Sequence, residues 1–149
     1  MTRTNANQVV RGLAEVLADS YTLMIKTHNY HWNVEGPHFK ALHELFEVQY
    51  TDLFTAVDEI AERIRALGEK APGTAAEFAE LSALQDGDSG KDANSMVEEL
   101  VADNETLISR AHKVSETAAN EGDKATEDLL TGRITTHQKT VWMMRSSLR

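Results

Sequence analysis

The chain has 149 residues, no cysteine, two prolines and a formal net charge of −9. Disulfides, thiolate zinc and iron–sulfur clusters are excluded, and an acidic surface opposes nonspecific attraction to nucleic acid or anionic lipid. No apolar run reaches the roughly 18 residues of a membrane span, and MTRTNANQVV lacks a signal-peptide core, so the expectation is one cytoplasmic domain over 1–149.

The first helix is predicted to begin near Ala6 or Asn7. Its inward side carries Val10, Leu13, Leu17, Met24 and His31, mostly three, four or seven apart. The stretch NVEGP ends it, and Pro37 suits the first turn of a second helix over 37–67. There Phe46, Leu53, Ile60 and Leu67 repeat every seven residues, and Leu42, Val57 and Ile64 widen the stripe to a bundle face. Gly68 stops that helix. Thr74 with Glu77 reads as a capping box for a short helix over 75–84, and Ser95 with Glu98 as another, opening a long helix to Asn120. A last long helix spans 124–146. Four long helices with one short insert between the second and third predict an all-α four-helix bundle.

Six histidines are present, and four lie within His28–Glu47. Without thiols, imidazole and carboxylate are the natural ligands for iron, manganese or zinc. The candidates are His31 on helix one and His43, Glu47, Asp58 and Glu62 on helix two. Helical geometry puts His43 with Glu47, and Asp58 with Glu62, on one flank. His43 and Asp58 are separated by about 22 Å of helix, far beyond the reach of one metal ion. Two copies of helix two, packed antiparallel with their midpoint between residues 52 and 53, level His43 with Glu62 and Glu47 with Asp58. That contact makes two identical sites shared between subunits, with Tyr50 and Phe54 near the axis. A reversal at Gly36 and Pro37 brings His31 toward His43, and Trp32 is placed to close the site. His28 reads as a supporting or interface residue, His38 as exposed, and His112 and His137 as structural or surface residues. Tyr30 reads as packing.

HWNVEGPHFKALHELFE and VDEIAERIRALGEKA resemble the two signatures of the Dps family, the DNA-binding proteins from starved cells or mini-ferritins. The resemblance implies a ferritin-like bundle with its short helix in the middle connection, assembled as a homododecameric shell. It implies a ferroxidase that oxidises Fe(II) with H2O2 or O2, stores the Fe(III) mineral and so limits oxidative damage. His31, His43, Asp58 and Glu62 would be the iron ligands shared across a two-fold, with Glu47 direct or through water, Trp32 alongside, and Zn or Mn as surrogate occupants. Acids near the start of the last helix would line iron pores, with Asp123 and Asp128 favoured. The terminal segments have no lysine-rich tail, so direct DNA binding is expected to be weak or absent. The alternatives are a DNA-compacting protein and a ferritin-like di-iron oxidase without storage. The one Glu-x-x-His, Glu35 to His38, runs through the Gly36–Pro37 turn, and none lies on a long helix, which counts against the latter.

Overall fold

The computed structural model describes residues 3–148. Five helices follow in order: α1 (Arg3–Asn33), α2 (Phe39–Ala66), α3 (Ala75–Leu81), α4 (Ala93–Asn120) and α5 (Lys124–Ser146). Short turns pair α1 with α2 and α4 with α5 as antiparallel hairpins. The long connection after α2 carries α3 across α1 and lets α4 run parallel to α2, so α1 meets α4 and α2 meets α5. This is the expected four-helix bundle with its short insert. No strand occurs among the described residues, and no helix there is long and apolar enough to cross a membrane.

The core follows the sequence stripes. Leu42, Phe46, Leu53, Val57, Ile60 and Ile64 of α2 are buried, facing Val9, Leu13, Val16, Leu17 and Leu23 of α1. Gly12 brings α1 close to α4, since a Cβ there would lie 2.6 Å from a Val114 methyl. Gly36 takes φ 118° in the turn between α1 and α2, a region that L side chains rarely adopt, and so sets the reversal.

The helix ends differ from expectation in five places, one of them the end of α2 at Ala66 rather than residue 67. α1 starts at Arg3, earlier than Ala6. α2 starts at Phe39, with Pro37 in the turn before it and His38 at the N-cap. α3 ends at Leu81 rather than residue 84, because Ser82 turns extended. α4 starts at Ala93: Asp92, not Ser95, is its cap, and the Asp92 carboxylate accepts from the Ser95 amide. The Thr74–Glu77 capping box is present in full. Of the terminal basic residues, Arg149 and the Arg3 side chain lie outside the described residues.

Candidate metal centre

The α1–α2 turn places His31 and His43 ring against ring, with centroids 3.8 Å apart and planes 14° from parallel. Each Nδ1 lies 2.7 Å from the other residue's backbone carbonyl oxygen. A carbonyl only accepts, so both Nδ1 atoms carry their protons and both Nε2 atoms keep a lone pair. Fixing the tautomer through Nδ1–H is how proteins prepare an imidazole to bind a metal through Nε2. His31 is buried and His43 half-buried.

Aromatic rings hold the pair in place. Phe39 stacks on the outer side of His43 at 5.0 Å. Tyr50 meets His31 edge-on at 5.1 Å and stacks on His28 at 4.3 Å. His28 also packs against Trp32 at 3.8 Å. Trp32 itself remains 63% exposed beside the pair. Phe39 was missed by the sequence reading, although its position four residues before His43 was the available signal.

Asp58 and Glu62 lie further along α2, both exposed. The hydrogen bond between them, then the Asp58 charge, raises the Glu62 carboxyl above its ordinary value. Like charges share one turn, and no cation among the described residues pairs with them. Glu47 is also exposed. Among the described residues, no three His, Asp or Glu side chains converge on one point. The chain brings His31 to His43 and Asp58 to Glu62, and leaves these two half-sites apart.

At the start of α5, Asp123 is buried and spent on structure. It caps the helix through the Thr126 amide at 3.1 Å, accepts from the Thr126 hydroxyl at 2.6 Å and pairs with Arg63 at 3.0 Å. Burial opposes its charge, but these donors together hold its carboxyl below the usual range. Asp128 is exposed.

The ferritin-like domain family matches residues 10–149. DNA protection during starvation protein 2 of Bacillus anthracis is 43% identical over 141 residues, covering 95% of this chain and 97% of that protein. The crystal structure of a Dps protein from Bacillus brevis superposes with a TM-score of 0.96 at 32% identity over the full length of both chains. The chain belongs to the Dps family of ferritin-like proteins. Another similar structure is a Vibrio cholerae Dps protein, described as a member of a superfamily of ferritin-like diiron-carboxylate proteins. It has a TM-score of 0.95 and 29% identity, and covers all of this chain and 94% of its own. As a Dps-family member, the chain is a ferroxidase and iron-storing mini-ferritin, an oxidoreductase whose substrate is iron.

Proposed function

We propose that each ferroxidase site forms between two subunits, from His31 and His43 of one and Asp58 and Glu62 of the other. The observation that carries this reading is the reciprocal lock of His31 and His43. It prepares two Nε2 lone pairs that no third ligand among the described residues of the same chain meets. Antiparallel packing of α2 against a second α2 levels His43 with the partner's Glu62 and Glu47 with the partner's Asp58. Glu47 assists directly or through water. Trp32, Phe54 and Ile25 are 63%, 69% and 58% exposed on this side of the α1–α2 hairpin, an apolar surface that a second copy would cover. Trp32 then shields the site.

Iron is the substrate. Two Fe(II) give up one electron each to H2O2, which takes up two protons and leaves as two waters, so no hydroxyl radical is released. O2 is the alternative oxidant in this reading. The imidazoles orient the ions without adding charge, and the carboxylates balance the charge gained on oxidation. Fe(III) is then stored as mineral inside a dodecameric shell, and Zn or Mn can stand in for iron in the purified protein. Iron passage falls to Asp128, because the carboxylate of Asp123 is already committed to Thr126 and Arg63. The setting is cytoplasmic protection from oxidative damage, and direct DNA binding is weak or absent at neutral pH.

The test is to load metal-free protein with Fe(II) and limiting peroxide, then measure particle mass and iron in the same chromatographic peak. A twelve-subunit particle holding many more irons than shared sites is expected. Intact particles that retain no iron would refute storage.

A further inference from the structure

Inside the bundle, away from the proposed centre, a third histidine is oriented in the same way. The Asn104 side-chain amide donates to the Leu100 carbonyl at 2.7 Å, which turns its oxygen toward His137. His137 Nδ1 lies 2.7 Å from that oxygen and therefore carries the proton. Its Nε2 lone pair points at Arg133, whose Nη2 is 3.0 Å away. The same Nη2 is 2.9 Å from Asp52 Oδ2, and Nη1 is 3.3 Å from Asp52 Oδ1. A buried imidazole oriented through Nδ1, with Nε2 and a carboxylate converging on one cation, is the arrangement of a metal-ligating histidine. Here the cation is a guanidinium.

The position gives this meaning. Ferritin-like bundles that hold metal internally build the site from inward-facing side chains of all four helices. In this chain α2, α4 and α5 contribute Asp52, Asn104 and Arg133 with His137; His137, Asn104 and Arg133 are buried, whereas Asp52 closes the cluster from the bundle edge with its side chain 40% exposed. Arg133 takes the His137 Nε2 lone pair and one contact on each Asp52 oxygen, and the Asn104–His137 bond fixes Nδ1. This cluster does not fit a di-iron centre, because Asp52 is its one carboxylate among the described residues and a fixed positive charge stands beside it. His137 is held down to about 3, first by burial and then by Arg133, so it stays an acceptor at working pH.

We infer that Arg133 is a specificity-determining residue, its guanidinium occupying the place in the bundle interior where Asp52 and His137 would otherwise hold a divalent cation. That place is thereby closed to a metal ion. A metal with bonds of about 2.1 Å would need each donor to move inward by roughly 1 Å, within reach of side-chain adjustment once the guanidinium is gone.

The test is Co(II) binding to metal-free, assembled protein, read as equilibrium stoichiometry and as the visible absorption of the bound ion. Arg133→Met should take up one more Co(II) per subunit than the unsubstituted protein. Adding His137→Gln to that variant should remove the extra ion, and Arg133→Lys should bind no extra ion. In the unsubstituted background, His137→Gln should leave the Co(II) count unchanged. An Arg133→Met shell with native helicity and no additional Co(II) overturns the inference. So does loss of Co(II) on His137→Gln alone. Should Arg133→Met fail to assemble, Co(II) is expected to restore assembly, and failure to do so counts against the inference. The inference rests on the interface reading only for the starting metal count. If that reading fails, His43→Ala leaves the starting count unchanged, whereas the difference between Arg133→Met and the unsubstituted protein judges Arg133 alone.

Discussion

The α1–α2 surface and the bundle interior use the same chemical parts with opposite results. At the surface, His31 and His43 donate through Nδ1 and hold Nε2 free. Inside, His137 donates through Nδ1, and its Nε2 accepts from Arg133. The carboxylates divide in the same way. Asp58 and Glu62 stand four residues apart, Asp58 raises the Glu62 carboxyl, and neither has a cation partner among the described residues. Glu99 and Asp103 have identical spacing but are clamped by buried Lys26 at 2.5 and 2.7 Å. Residue type and helical spacing therefore do not decide which group is free to bind iron. The nearest fixed cation does.

His43→Ala should break the open side most severely. It removes one of two prepared imidazoles and leaves the His31 ring bonded to a main-chain carbonyl. Peroxide-driven Fe(II) oxidation should fall by at least about 100-fold in stopped-flow traces, with helicity unchanged.

Lys26→Met should break the filled side. Asp103 would be left poorly hydrated and unpaired, and Glu99 would keep only Lys91 and Tyr30, so denaturant unfolding should show a loss of about 3 kcal/mol while iron oxidation per folded particle is retained.

Asp123→Ala and Asp128→Ala sharpen the comparison at the α5 N-terminus. Loss of the Asp123 cap should cost about 1–2 kcal/mol in thermal unfolding. Asp128→Ala should leave stability within about 0.5 kcal/mol but slow iron uptake into the shell.

The smallest effect is a pH dependence of the clamp. Burial would raise Glu99, but Lys26, Lys91 and Tyr30 outweigh it and hold its carboxyl at about 2, from a reference of 4.5. A depressed carboxyl contributes stability that is complete above its unfolded value and disappears as pH falls from 4.5 toward 2. Burial of Tyr30, with its bond to Glu99, pushes that phenol up to about 12 from 10.0. Its contribution is complete below 10 and is lost as pH rises toward 12. Glu99→Gln should flatten the acid limb of a melting-temperature profile, and Tyr30→Phe the alkaline limb.

The long helices and the pairing of Asp58 with Glu62 along α2 were legible because apolar stripes and four-residue spacings are local signals. The meeting of His31 with His43 followed from the Gly36 reversal, but their exchange of Nδ1–carbonyl bonds did not, since backbone oxygens are not specified by residue type. The α4 cap was misassigned because Asp92 and Ser95 are both capable caps within three residues, and the choice depends on where the preceding turn delivers the chain. The interior cluster was illegible for a different reason. Arg133 and His137 are visibly one helical turn apart, but their partners Asp52 and Asn104 lie 81 and 33 residues away in sequence. Only packing shows that the lone pairs are filled.

The central claim is that each ferroxidase site draws its imidazoles and its carboxylates from different subunits, and complementation tests it most directly. Subunits carrying His43→Ala would be co-assembled with subunits carrying Asp58→Asn and Glu62→Gln, each inactive alone. Random pairing leaves one intact site in every mixed dimer, so Fe(II) oxidation should return to roughly a quarter of the unsubstituted rate. Mixed shells as inactive as their parents would contradict the shared site.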